Sequence, residues 1–297
     1  MSDWWATVAD GRQQAHTTWW FLTRVPARYS LGFRMDLAFV LRSPGLAIYY
    51  LVLDAILIPA SGATTFLLAE RLTGLGSWSV AQVTFLLGYA TLVEGILAVA
   101  FTYNVSHISR RIGRGQFDHL LVQPQPLWLS LLSEGFAPVT GGAAVAMGIA
   151  ILAWSITRLP LDTDVAWWGF FLANLGASVV AVLGAMFAWS SLAFWAPVAA
   201  EEVATNVHEA LTTLGVFPLD GLGTVLTAGL VAAVPAGLVA WLPARALLGV
   251  GATATPLWAT PAAAVALAII GAATFRVGLG RYRCVGSSRY TDFGHRR

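Results

Sequence analysis

The sequence predicts an all-α integral membrane protein with six transmembrane helices, preceded by an amphipathic helix at the membrane interface. Composition, the spacing of apolar segments and the placement of arginine predict this fold class. Hydrophobic residues make up 57% of the 297 residues and charged residues 11%, whereas soluble domains carry about 25% charge. A chain with so little charge cannot cover a water-exposed surface, so lipid is expected to be its main solvent.

Six segments are long and apolar enough to span a membrane, which takes about 20 residues. They lie at residues 45–69, 81–104, 133–157, 166–193, 222–243 and 257–278. Two of them contain an acid, Asp54 and Glu94. Each acid costs about 2.5–3.5 kcal/mol near a helix centre, and each Leu, Ile, Val or Phe returns about 0.3–0.6 kcal/mol. Because about ten such residues accompany each acid, both segments remain predicted spans.

The sequence before the first span predicts an interfacial helix. Tryptophans and arginines are interspersed there, and both side chains suit the headgroup layer of a bilayer. We therefore divide the chain into an interfacial region at 1–44, a six-helix transmembrane domain at 45–278 and a cytoplasmic tail at 279–297. A connection at 194–221 is predicted to lie on the cytoplasmic side and to form another interfacial helix.

Arginine placement predicts the orientation, since the chain contains no lysine. Five arginines lie in residues 1–44, three in 106–128 and six from Arg276 onward, fourteen in all. On the other side of the predicted membrane lie only three arginines, at positions 71, 158 and 245. Positive residues favour cytoplasmic loops, so the sequence predicts a multi-pass cell membrane protein with both termini in the cytoplasm.

Several kinds of chemistry are excluded by composition. Without lysine there can be no P-loop lysine and no Schiff-base lysine. Cys284 is the single cysteine, which excludes an internal disulfide and a multi-cysteine metal site. The five histidines lack metal-ligand spacing, and a net charge of +2 gives no indication of nucleic-acid binding. We therefore expect neither a catalytic residue nor a metal or cofactor on this chain.

One polar run separates the second and third predicted spans. It extends from Ser106 to Trp128 and reads SHISRRIGRGQFDHLLVQPQPLW. Its spacing predicts a helix from His107 to Val122 with one apolar side, ended by Pro124. The arginine rule places this helix in the cytoplasm.

Three polar residues within predicted spans are candidates for the translocation pathway: Asp54, Glu94 and Asn104. Lipid penalises such groups, so they must face the bundle interior or a cavity. The alternative is a structural role, in which a protonated carboxyl group is hydrogen-bonded to a neighbouring helix.

Three stretches of the chain resemble runs that recur in one known family. The run RGQFDHLLVQPQPL at 114–127 is similar to a family run RRGELDxLLLRPxxPL that follows the second span. FPL at 217–219, with the prolines that follow it, resembles the family's fifth-span pattern. GLGRYRCVGS at 278–287 is similar to its closing GLRRYxSxGS. The family is that of the six-span permease subunits of ABC-2-type exporters, and the resemblance covers roughly residues 30–290.

The resemblance implies a permease subunit of an ATP-driven exporter. Two permease units, identical or sister chains, would form the pathway within the lipid membrane. Separate ABC ATPase subunits would bind ATP and Mg²⁺, so this chain would not itself be an enzyme. The polar run would be a cytoplasmic coupling helix seated in an ATPase. Its coupling residues would be Arg110, Arg111, Arg114, Gln116, Phe117, Asp118, His119 and Leu120.

Two other functions remain open on the sequence. A secondary transporter could move protons through Asp54 and Glu94, and that function predicts inverted repeats and broken helices. An integral membrane enzyme that modifies lipids would need His, Asp or Ser side chains that converge at one membrane depth. The sequence shows no clear halves and no such convergence.

Overall fold

The architecture comes from a computed structural model that describes most of the chain. The described residues are 11–105, 107–113, 115–123, 127–220, 222–251 and 255–285. The description does not extend to the side chains of 11–24, 61, 102–105, 129 and 198. Within the described ranges the regular structure is helical, apart from an isolated bridge between Leu75 and Trp78. The all-α expectation is confirmed for this part of the chain.

The helices follow one another along the chain with short connections. They are α1 (Gly11–Arg42), α2 (Pro44–Arg71), α3 (Val80–Val105), α4 (Ile108–Gly113), α5 (Phe117–Leu121), α6 (Leu127–Ser133), α7 (Gly142–Ile156), α8 (Val165–Ser190), α9 (Pro197–Leu214), α10 (Thr224–Ala232), α11 (Leu242–Leu248) and α12 (Ala259–Val285). A 3₁₀ turn at Ser191–Phe194 extends α8, and a π turn at Gly237–Trp241 leads into α11.

Local sequence sets several helix ends. Pro44 begins α2, and proline suits the first helical position because no hydrogen bond is lost there. The Asp164 carboxylate caps α8 by accepting a hydrogen bond from the Trp167 N–H at 2.7 Å. Gly249 ends α11 with a φ of 62°, a left-handed conformation that glycine adopts without strain.

Glycines allow α3 and α7 to pack in close contact. A Cβ atom added to Gly88 would lie 2.8 Å from Leu152 N, and one added to Gly148 would lie 2.6 Å from Leu92 N. Both approaches are too short for any other residue, so the two backbones meet directly. Along these contacts the residue numbers increase in α3 while they decrease in α7, so the two helices are antiparallel.

The second close pair, α8 and α12, is parallel. A Cβ atom on Gly184 would lie 2.6 Å from Leu267 C. Further along both helices, Gly278 lies against the ring of Phe194. Residue numbers therefore increase together along the contact, and α12 ends at the same end of the bundle as α8.

α9 extends from one end of α3 to the other. Near the end of α3, Arg110 Nε lies 2.6 Å from Glu201 Oε1, in the first turns of α9. At the start of α3, the Trp78 indole donates to the carboxylate of Asp220, just beyond α9. An 18-residue helix is about 27 Å long. α9 thus runs the length of the bundle, whereas the sequence predicted a connection on the cytoplasmic side.

The fifth predicted span, 222–243, is a bent pair of helices. α10 and the helix formed by the π turn with α11 meet at 83°. Trp241 Nε1 donates to Asp220 Oδ2 at 2.7 Å, and Arg245 Nη1 lies 3.3 Å from Asp220 Oδ1. Trp167 Nε1, at the start of α8, donates to the Leu247 carbonyl at 3.3 Å. The pair of helices thus begins near the start of α3 and ends near the start of α8.

The number of candidate spans is lower than the six expected from hydropathy. Within the described residues, four helices are long and apolar enough, at Pro44–Arg71, Val80–Phe101, Val165–Phe194 and Ala259–Val285, and the bent pair would be a fifth. The third predicted span contains α7, which has 15 residues and is shorter than a full span. Its shortness follows from the turns that separate α6 from α7.

α1 is held against the connection between α6 and α7. Asp36 is 8% exposed. Its carboxylate accepts hydrogen bonds from the Val139 N–H at 2.7 Å and from the Thr140 N–H at 3.1 Å. The predicted N-terminal helix therefore exists, from Gly11 to Arg42. Its position at a membrane surface remains a prediction.

Candidate coupling segment

The polar run between α3 and α7 forms two short helices. α4 ends at Gly113, and Gly115 has a φ of +67°. The Gln116 N–H donates to the Arg111 carbonyl at 3.0 Å, which closes the turn before α5. The continuous helix predicted from His107 to Val122 is therefore wrong. The left-handed glycine turns the chain, and glycine adopts that conformation at little cost.

Phe117 is the centre of a buried group of four rings. It is 0% exposed. Its ring lies edge-on to the rings of Phe194 at 6.0 Å, Phe275 at 5.8 Å and Tyr282 at 6.1 Å. Such pairs contribute about 0.5–1.5 kcal/mol each beyond the buried area. We call these four residues the aromatic anchor, because their ring contacts fix α5 to the end of α8 and to α12.

A hydrogen bond joins the same two elements. Tyr282 on α12 donates its hydroxyl to Asp118 Oδ1 on α5 at 2.8 Å. The Tyr282 ring is 6% exposed, and Asp118 is partly exposed. A hydrogen bond to a charged acceptor contributes about 1.5–3 kcal/mol. Asp118, predicted as a coupling residue, therefore lies beside the last turns of α12.

Two ion pairs fix α4 to its neighbours. Arg110 Nε lies 2.6 Å from Glu201 Oε1 on α9, and Arg111 Nη2 lies 2.8 Å from Glu134 Oε2 after α6. The Arg110 side chain is 44% exposed and that of Arg111 is 10% exposed. Exposed pairs contribute at most about 1 kcal/mol, and each of these two pairs has one partner whose side chain is 44% exposed.

The opposite side of α5 is accessible. Gln116 and His119 are exposed, and Val122 is 80% exposed. Their spacing of three residues places them on one side of the helix. Phe117 and Leu120, at 0% and 4% exposure, occupy the other side. The predicted coupling residues thus divide into an inner set that packs on the bundle and an outer set open to a partner.

Two of the predicted site residues lie outside this description. Arg114 is not among the described residues, and for Asn104 only the backbone, within α3, is described. Their assignments remain predictions.

Asp54 and Glu94 lie on adjacent antiparallel helices. A Cβ atom on Gly62 of α2 would lie 3.4 Å from the Leu87 side chain of α3. Asp54 is about two turns before Gly62, and Glu94 is about two turns after Leu87. The two acids are therefore at about the same height on facing helices. Both residues are partly exposed. A cavity of about 550 Å³ begins one turn away, between α2, α3 and α7.

α9 carries a stripe of exposed polar residues that the sequence did not identify as a functional site. Its exposed residues recur every three or four positions, which places them on one face of the helix. They are Glu202, Thr205, Asn206, Glu209 and Thr213. The buried face consists of Ala200, Ala204, Val207 and Leu211. The amphipathic pattern was visible in the sequence, but it was assigned to an interfacial helix.

The partners of the predicted coupling residues were also missed. Phe194, Phe275 and Tyr282 complete the aromatic anchor, yet none lies near Phe117 in the sequence. Only Tyr282 had a signal, since it falls within the closing GLGRYRCVGS stretch. Phe194 and Phe275 look like ordinary apolar residues of a span.

The comparisons with known proteins decide the family. The sequence model of a family described as ABC-2 family transporter protein matches residues 55–286. The chain belongs to this family. The resemblance inferred from three short stretches is thereby confirmed. Searches of curated proteins and of solved structures found no match.

As an ABC-2 family transporter protein, the chain is a transmembrane permease and not a classical enzyme. The matched range begins within α2 and ends at the last described residues of α12. It contains α4, α5 and every residue of the aromatic anchor. α1 lies before the match.

Proposed function

We propose that this ABC-2 permease is one subunit of an ATP-driven exporter in the cell membrane. It forms the pathway together with a second permease, either another copy or a sister chain. Separate ATPase subunits bind and hydrolyse ATP and Mg²⁺. The support consists of the family match, the absence of lysine that a P-loop would need, and an exposed α5 fixed to the membrane helices.

The proposed topology has six crossings, by α2, α3, α7, α8, α9 and α12. α9 replaces the bent pair as the fifth crossing, because it extends between the two ends of α3. The bent pair then enters the membrane and returns on the outer side. Both termini, α4 and α5 are cytoplasmic in this arrangement. The fourteen arginines that the sequence places on the cytoplasmic side remain on that side in this topology.

The acids of α9 fit a water-filled pathway better than lipid. An acid in contact with lipid near the membrane centre costs about 2.5–3.5 kcal/mol. The exposed stripe that contains Glu202 and Glu209 avoids this cost if it faces water. α2 leaves most of its apolar surface unburied within one chain, which offers area to lipid and to a second permease. Two copies of the α9 stripe would thus line one pathway.

The aromatic anchor is the single observation that carries the coupling mechanism. An ATPase that moves α5 must also move the residues fixed to it. Phe117 and Asp118 fix α5 to Phe194, after α8, and to Tyr282 of α12. A displacement on the cytoplasmic side is therefore transmitted to two membrane helices. ATP binding would bias the permease between inward and outward forms.

The test is photo-crosslinking of the permease to its ATPase. A photoreactive amino acid is placed at His119 or Val122, on the accessible side of α5. The matched control carries it at Val165, which is 90% exposed and lies at the start of α8, the opposite end of the bundle. The complex is expressed with a candidate ATPase that carries a P-loop.

We expect crosslinks to the ATPase from His119 and Val122 and none from Val165. The purified complex should also hydrolyse ATP, whereas the permease alone should not. Crosslinking from Val165 alone, or a permease that moves substrate on a proton gradient without an ATPase, would refute the proposal.

A further inference from the structure

A cavity lies between α1 and the segment that connects α6 to α7. Its volume is about 490 Å³. Three charged side chains line it, namely Arg28, Asp36 and Glu134, together with apolar Leu31 and Met35. None of the functions discussed above uses this cavity.

The charged wall of the cavity is held in place. Arg28 Nη1 donates to Ser133 Oγ at 2.8 Å. Asp36 accepts two backbone hydrogen bonds, and its Oδ1 also accepts from the Thr140 hydroxyl at 2.8 Å. Tyr29 packs edge-on against Phe136 with centroids 4.9 Å apart. α1 and the opposite wall are therefore fixed to each other, and the cavity is already formed before a ligand binds.

The charges select the class of ligand. Of the charged groups that line the cavity, only the Arg28 guanidinium attracts a simple anion, while Asp36 repels it and the charge of Glu134 is offset by its pair with Arg111. A ligand that brings both an anion and a cation can bind Arg28 and Glu134 at the same time, whereas Asp36 already accepts three hydrogen bonds from the protein. Arg28 has further N–H donors besides the one that Ser133 accepts. Glu134 is 44% exposed and uses Oε2 for Arg111, which leaves Oε1 for a cation.

Leu31 and Met35 form an apolar rim of the cavity, which indicates what surrounds the rest of the ligand. Leu31 is 57% exposed and Met35 is 65% exposed, one turn apart on α1. In a membrane protein such side chains lie against acyl chains. A headgroup in the cavity would continue directly into tails along this rim.

We propose that the cavity binds the headgroup of a zwitterionic aminophospholipid. Its phosphate lies on Arg28 and its ammonium group on Glu134, with the acyl chains along Leu31 and Met35. The bound lipid fixes α1 to the α6–α7 connection. The site requires only the membrane location of the chain and is independent of the proposed ATPase coupling.

The test measures lipid-dependent thermal stability of the delipidated full-length chain in detergent. Phosphatidylethanolamine, phosphatidylglycerol, phosphoethanolamine and inorganic phosphate are added separately. We expect phosphatidylethanolamine to raise Tm, and phosphoethanolamine to do so at higher concentration. Phosphatidylglycerol and inorganic phosphate should act at least tenfold more weakly. Equal shifts from inorganic phosphate or phosphatidylglycerol would overturn the proposal, since they would indicate a simple anion site.

Variants assign the effect to the cavity. Arg28→Gln should weaken the apparent affinity for phosphatidylethanolamine at least tenfold. Leu31→Trp should do the same by occupying space while it keeps every charge. The matched control is Arg34→Gln, an exposed arginine of α1 outside the cavity lining, and it should behave like the wild type. Because the readout is the shift on lipid addition, a lower starting Tm does not affect it. Unchanged affinity in Arg28→Gln and Leu31→Trp would overturn the site.

Discussion

Replacement of Tyr282 by phenylalanine tests the link between α5 and α12. The change removes one hydroxyl and leaves the ring, which is 6% exposed, in the aromatic anchor. The hydroxyl donates to Asp118 Oδ1 at 2.8 Å, and such a bond contributes about 1.5–3 kcal/mol. Because Asp118 is partly exposed, water replaces part of the lost bond. We expect the attachment of α5 to weaken by about 1 kcal/mol.

A loss of about 1 kcal/mol raises the detached fraction of α5 about fivefold. A spin label at His119, in a chain whose single cysteine at 284 has been replaced, reports this fraction as mobile signal. The label lies on the exposed side of α5 and does not enter the anchor. The amount of inserted protein should stay unchanged. ATP hydrolysis by the complex should become less dependent on the state of the permease.

Asp118→Ala, which removes the acceptor of this hydrogen bond, provides the control for this prediction. The two substitutions remove partners of one bond, so their effects on the mobile fraction should not add in the double variant. An unchanged mobile fraction in Tyr282→Phe, or full additivity, would refute the idea that this bond holds α5 to α12.

Three further predictions concern other parts of the molecule. Phe117→Ala removes a fully buried ring and should cost about 3–5 kcal/mol, seen as a large loss of inserted protein; normal abundance would contradict its burial. Glu94→Gln should lower transport more than abundance, and equal losses would support a structural role. With Cys284 replaced by serine, a cysteine at Asn206 should react in the membrane with a water-soluble thiol reagent much faster than one at Val207; equal rates would mean that the stripe of α9 does not face water.

Hydropathy predicted the straight apolar helices well, but it did not show that the fifth predicted span is bent. α2, α3, α8 and α12 correspond to predicted spans. The 83° bend within this segment was not predicted, because hydropathy registers composition and not direction. Pro235 and the turn around it allow the chain to bend. The position of α9 along the bundle was not predicted either, because its acids lower its mean hydropathy, although Glu201 pairs with Arg110.

The candidate coupling segment was found from sequence, but its internal arrangement was not. The motif at 114–127 located the segment, and its spacing predicted an apolar side. Nothing in that spacing shows whether Phe117 packs on the permease or on a partner. The answer depends on Phe275 and Tyr282, which lie more than 150 residues away in the chain.

The sequence by itself determined the membrane class, the helical fold and the family. These depend on composition, local apolar length and short motifs, which are properties of neighbouring residues. Only the tertiary structure decided that α9 extends the length of the bundle, that the 222–243 segment is bent by 83°, and that α5 is fixed to α12. Each of these depends on contacts between distant helices, and the Asp220 and Phe117 contacts exist only when α3, α8 and α12 are packed together.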